Sequence, residues 1–179
     1  TQEKDDIVLF DQWDTEAFLL EILGHKGKTN SKRIAREISS LKSRGIYPED
    51  PLVPEKLRDI YHAYQGEMAR FKAMDYDDIL LETLKLFQEG GTLLNKIYPR
   101  FNHLLIDEFQ DVNAVQYGLV KLWARKPKNL FIIGDPDQAI YGFRAADYRY
   151  FESIYREFPK AKVFNLSLNY RSTPQILKA

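Results

Sequence analysis

Three short apolar runs in this chain each end in polar residues suited to handling phosphate and water. In "HLLIDEFQD" (103–111) the run delivers Asp107 and Glu108 side by side. Such a pair suits a magnesium–phosphate site: magnesium takes oxygen ligands and keeps several waters, so one carboxylate holds the ion while the next polarises an attacking water. The plainer alternative makes Asp107 and Asp111 caps for the following helix. In "FIIGDPDQAIYGFRAA" (131–146) the second run is followed by Gln138 and then by Tyr141, Phe143 and Arg144. Aromatics alternating with small residues in a loop give stacking platforms for unpaired bases, and arginine adds phosphate or cation–π contact. Two such rings on their own would more often be core. The third run, "KVFNLSL", leads into Tyr170 and Arg171 ahead of a short helix that Ser172 or Thr173 caps.

A fourth stretch invites the same reading and fails it. "GHKGKT" (24–29) ends like a phosphate loop, yet G-x-x-x-x-G-K-[ST] requires glycine five positions before Gly27, and Ile22 stands there. A phosphate loop must also leave a buried strand. Upstream is "DTEAFLLEIL", in which Asp14 caps a helix, Ala17, Leu20 and Leu23 (or Ile22) recur at helical spacing, and Gly24 is the stop.

These groups have to be held by elements of two kinds. Up to about residue 74 the pattern is helical: Ile34, Ile38 and Leu41 form one stripe ending at Gly45, and Leu57, Ile60, Tyr61, Tyr64, Met68 and Phe71 form another. The only strand expected there is a short one at Ile7 to Phe10. "MDYDDILLETLKLFQEGG" starts one more helix at its aspartates, ended by Gly90 and Gly91. Beyond it the apolar runs 103–107, 130–135 and 162–168 read as buried strands, with helices around Val115 to Trp123 and Tyr148 to Phe158 between them. That alternation predicts an α/β unit with a parallel sheet, in which ligands sit at the carboxyl ends of the strands.

Composition narrows the classes. The 179 residues contain no cysteine, which excludes disulfides and thiolate metal sites, and His25, His62 and His103 are too scattered for a zinc site. No apolar run approaches the roughly 20 residues needed to span a bilayer, and the start is acidic rather than signal-like, as expected of a soluble, cytoplasmic protein. Net charge is zero, but Gly24 to Arg44 holds seven basic residues (Lys26, Lys28, Lys32, Arg33, Arg36, Lys42, Arg44) against Glu37. Such a run is usually a solvated helix face and sometimes a contact for the nucleic-acid backbone.

Taken in order and spacing, "IDEFQD", "GDPDQAIYGFRAA" and "LNYRST" resemble motifs two, three and four of the UvrD/Rep/PcrA group of superfamily-one DNA helicases, and "MDYDDILL" resembles the point where those enzymes return from a helical insertion to their first RecA-like domain. The resemblance implies a partial RecA-like sheet over 75–179, a helical insertion subdomain over 1–74, ATP and magnesium as cofactors, and single-stranded and duplex DNA as partners. It further implies that Asp107 coordinates magnesium, Glu108 is the catalytic base, Gln110 couples sites and Gln138 senses the γ-phosphate. Tyr141, Phe143 and Arg144 would contact DNA, Tyr170 would stack on adenine, and Arg171 would reach the γ-phosphate. Ala139, Ala145 and Val112 depart from the usual serine, glycine and threonine without removing a role. By the same resemblance "GHKGKT" falls in the insertion, the true phosphate loop lies upstream of this chain and the second RecA-like domain beyond it, so this piece by itself is expected not to hydrolyse ATP. The rival expectations are a non-catalytic DNA-binding or interaction module of the same fold, and the motor part of a helicase–nuclease.

Overall fold

The computed structural model describes residues 7–24, 30–89, 96, 102–124, 129–140, 142, 146, 147 and 149–178. Strand β1 (Val8–Phe10) turns at Asp11 into helix α1 (Gln12–Leu23). Asp11, not Asp14, is the N-cap: its carboxylate accepts from the N–H groups of Trp13 and Asp14, while the Asp14 carboxylate accepts from Asp11 N–H. Two aspartates at this spacing form a reciprocal capping box, so Asp14 belongs to the first turn. The buried side of α1 is also displaced from the expected stripe. Leu19 is fully buried with Phe18, Ile22 and Leu23 packed around it, whereas Ala17 is exposed. The cause is aromatic: Phe18 meets Phe10, Tyr64 and Phe71 edge to face, with centroids 5.3, 6.2 and 5.6 Å away.

Helices α2 (Ser31–Ser43) and α3 (Glu55–Arg70) bury Ile34, Ile38 and Leu41 on one and Leu57, Tyr61, Tyr64 and Met68 on the other, with Ile60 half-buried, whereas Phe71, expected on the second stripe, falls just beyond α3 and is 49% exposed. Between them Gly45, at φ 79°, takes the left-handed conformation that lets the chain reverse. Strand β2 (Ala73–Asp75) then pairs in parallel with β1, Val8 opposite Ala73 and Phe10 opposite Asp75. This second strand was not expected. Three residues carry no readable period, and only β1 gives them a ladder to join.

Helix α4 (Tyr76–Glu89) begins on a second reciprocal pair: Asp78 N–H donates to Asp75 Oδ1, and Asp75 N–H donates to Asp78 Oδ2. Lys42, counted from sequence among the basic surface residues, lies fully buried beneath it. Its Nζ is 2.6 Å from Asp75 Oδ2, 2.7 Å from Asp78 Oδ1 and 4.8 Å from the centre of the Tyr64 ring. Tyr64 donates its hydroxyl to the same Asp75 oxygen, Gln65 donates to Asp78, and Ser39 and Ser43 donate to Asp77. Burial opposes ionisation of Asp75, but the Lys42 ammonium and these hydrogen bonds prevail and hold its carboxyl below the usual range. For Asp77 and Asp78 burial prevails and pushes the carboxyls up. Burial likewise raises the Tyr61 and Tyr64 hydroxyls, which remain donors.

Beyond α4, strands β3 (His103–Ile106) and β4 (Asn129–Ile132) pair in parallel, His103 opposite Asn129 and Ile106 opposite Ile132. Helix α5 (Ala114–Trp123), capped by Asn113 with Gln116 as its reciprocal partner, connects them. One sheet face, with Ile106, Leu130 and Ile132, packs on Phe109, Tyr117, Val120 and Ile154, the last from helix α6 (Tyr150–Glu157). Helix α4 lies against α2 on one side and α5 on the other, with Leu80, Leu84 and Phe87 meeting Leu119, Leu122 and Trp123. The α/β class with parallel pairing is as expected. The third strand is not: residues 162–168 join no ladder, and Phe164 and Leu166 are 77% and 93% exposed. A strand exists only beside a neighbour, and none of the described strands lies beside this one. Helix α7 (Pro174–Leu177) has Thr173 at its N-cap position without a capping hydrogen bond from the side chain.

The Lys42 cluster makes the first prediction. Lys42→Met leaves two buried carboxylates without their cation, which costs about 3–5 kcal/mol. A urea unfolding midpoint within error of the parent would show that the cluster contributes no stability.

Candidate functional site

Beyond Ile106 the backbone of β3 bends sharply. Glu108 sits at φ 51°, ψ 43°, the left-handed region that residues with a Cβ enter at a cost of about 1–2 kcal/mol. The turn continues as a short 3-10 segment (Phe109–Asp111) locked under the sheet: Phe109 is fully buried, and its N–H donates to Ile133 O at 3.0 Å. Strain at such a place is kept when surrounding packing over-determines it. The result is that Asp107 and Glu108 both reach solvent at the carboxyl end of β3.

Gln110 holds the arrangement together. It is 2% exposed, its Nε2 donates to Glu108 Oε2 at 2.6 Å, and its Oε1 accepts from Asp135 N–H at 3.1 Å. Asp135 begins the second 3-10 segment (Pro136–Gln138) by accepting from Asp137 N–H at 3.0 Å, and its other oxygen accepts from Gln138 Nε2 at 2.7 Å. The polar ends of β3 and β4 are thus joined as Glu108, Gln110, Asp135 and Gln138. Gly134 permits it: a Cβ there would lie 2.6 Å from Gln110 Oε1, 2.7 Å from Phe151 Cζ and 3.0 Å from Phe109 N.

Of the residues singled out from sequence, Asp107, Glu108, Gln110 and Gln138 come together at this edge. Tyr170, 91% exposed, and Arg171 lie on a turn organised by Asn169, whose Oδ1 accepts from the N–H groups of Arg171 and Ser172, and they share no hydrogen bond or ion pair with the group. Tyr141, Phe143 and Arg144 lie outside the described residues, as does most of "GHKGKT". The alternative role for Asp107 and Asp111 does not hold, since Asn113 caps the next helix. Two contributors went unnoticed in the sequence, Asp135 and Gly134. The signal for Gly134 was a glycine directly between a strand and an aspartate.

Among the described residues no three His, Cys, Asp or Glu side chains cluster as an enclosed metal cage. The donors at β3 nonetheless fit a cation that keeps most of its water. Asp107 Oδ1 is occupied by Glu108 N–H at 2.9 Å, leaving Oδ2 of an exposed carboxylate for the ion.

Polar groups at the carboxyl ends of parallel strands are where ligands of open α/β sheets sit, and sequence comparison gives the family. Residues 2–159 match the UvrD/REP helicase N-terminal domain, and the chain belongs to that family. Its relatives include the ATP-dependent DNA helicase PcrA of Staphylococcus epidermidis (strain RP62A), 40% identical over 148 residues, which cover 79% of this chain and 20% of that protein. PcrA of Staphylococcus aureus (strain Mu50) is 34% identical over 181 residues, covering 96% of this chain and 25% of that protein. The chain therefore spans a fifth to a quarter of these relatives' length. Among the described residues no helix is long and apolar enough to cross a membrane.

The close approach at Gly134 is testable. Gly134→Ala forces Gln110 and Phe151 apart and costs about 1–3 kcal/mol by overpacking, read as a lowered unfolding midpoint. An unchanged midpoint would mean that the two strand ends do not meet as described.

Proposed function

We propose that this chain is part of the motor of an ATP-dependent DNA helicase or translocase, with residues 75–179 forming part of a RecA-like domain and residues 1–74 a helical insertion. The observation that carries the reading is the hydrogen-bonded connection from Glu108 through Gln110 and Asp135 to Gln138 at the carboxyl ends of two parallel strands. Family membership and the naming of the relatives as ATP-dependent DNA helicases support it.

Phosphoryl transfer depends mostly on positioning and charge. Asp107 is the group that would hold magnesium, which when bound neutralises phosphate charge. Glu108 takes a proton from the attacking water, and the amide of Gln110 holds its carboxylate in place. Gln138 reports on the phosphate end, and Tyr170 and Arg171 serve the nucleotide from their own turn. Tyr141, Phe143 and Arg144 follow three to six positions after Gln138, and they are the residues of this stretch suited to meet unpaired bases. The chain contains no G-x-x-x-x-G-K-[ST] of its own.

Two measurements test this on the complete protein. Glu108→Gln keeps the magnesium ligand and removes the base, so DNA-stimulated turnover falls by about 10²-fold or more while nucleotide binding survives. Near-parental turnover would show that Glu108 is not the base, whereas a parent without DNA-stimulated turnover would favour the non-catalytic module. Phe143→Ala removes a stack worth about 1–3 kcal/mol, weakening single-strand affinity by roughly tenfold or more at fixed salt. Unchanged affinity would return Phe143 to a packing role.

A further inference from the structure

The amides of Gln110 and Gln138 have only one chemically possible orientation each. A carboxylate only accepts and a backbone N–H only donates, so Gln110 must turn Nε2 to Glu108 and Oε1 to Asp135. By the same rule Gln138 must turn Nε2 to the Asp135 carboxylate, 2.7 Å away. Its Oε1 is the atom left over. That oxygen accepts no hydrogen bond from any described residue, and the side chain is exposed.

We propose that Asp135 is a positioning residue, whose carboxylate fixes the Gln138 amide so that Oε1 is presented to the reacting groups as an acceptor for the attacking water. The proposal rests on the hydrolytic reading of this site and specifies how the Gln138 amide is held there. Water has two protons. An acceptor at Glu108 and a second at Gln138 take one each, which directs the oxygen lone pair at phosphorus. The two acceptors are parts of one bonded unit, since Gln110 ties Glu108 to the backbone of Asp135 and Asp135 ties its own side chain to Gln138. The second Asp135 oxygen, on Asp137 N–H, keeps the turn from rotating.

The test is steady-state ATP hydrolysis by the complete protein on single-stranded DNA, with urea unfolding alongside. In Asp135→Asn the remaining oxygen keeps the cap on Asp137 N–H, while the new amide turns a donor toward Gln138. Gln138 then flips to answer it with Oε1, and the outward acceptor is lost. Expected are a kcat lowered about tenfold, an ATP KM within about twofold of the parent and an unchanged unfolding midpoint. Adding Gln138→Glu to Asp135→Asn restores the pattern at constant net charge, because one carboxylate oxygen takes the new donor and the other again faces outward as an acceptor. The double variant should therefore exceed both single variants in kcat. Parental kcat in Asp135→Asn, or a double variant no better than its parts, overturns the proposal while the parent's turnover keeps the hydrolytic reading. A parent without turnover would remove that reading and the proposal with it.

Discussion

A single buried ammonium underlies the architecture. Lys42 has no exposed surface, and it binds the two aspartates that start α4. Desolvating three charged groups is costly, and the cost is offset only where geometry and further hydrogen bonds are good. Here Tyr64, Gln65 and the two backbone N–H groups satisfy the carboxylates. The cluster joins α2, α3, β2 and α4 at one point. It thereby determines the direction in which α4 leaves β2, and α4 in turn supports α5, the helix behind β3 and β4.

From that support the site gains rigidity of a particular kind. The sheet contributes two strand ends, the Phe109 segment anchors one to the other through Ile133, and the Gln110 amide spans the gap between them. What the fold supplies is orientation, in a region where Glu108 and Gln138 stay open to solvent.

The sequence made the outline readable where period and punctuation were strong. Ile34, Ile38 and Leu41 fell on one buried stripe, Gly24 and Gly45 marked helix ends, and the apolar runs before Asp107 and Gly134 marked β3 and β4. It misled where a residue type has two common uses. Lys42 belongs to a basic run by composition, yet its partners lie 33 and 36 positions away, and no local pattern announces them. The three-residue β2 was too short to read, and "KVFNLSL" has strand composition without a neighbouring strand to bond. At the site, side-chain types singled out Asp107 and Glu108, and the family resemblance supplied the part expected of Gln138. The bridging work of Gln110 had a counterpart in the family resemblance, but the part of Asp135 depends on which amide end meets which acceptor, and that exists only in three dimensions.

The left-handed backbone at Glu108 carries a consequence for substitution at that position. A glycine there would relieve about 1 kcal/mol of backbone cost, but it would leave the buried Nε2 of Gln110 without the carboxylate it donates to. Position 108 is thus a place where backbone conformation and side-chain hydrogen bonding pull in opposite directions. The strain is offset locally, by a hydrogen bond that the strained residue itself accepts.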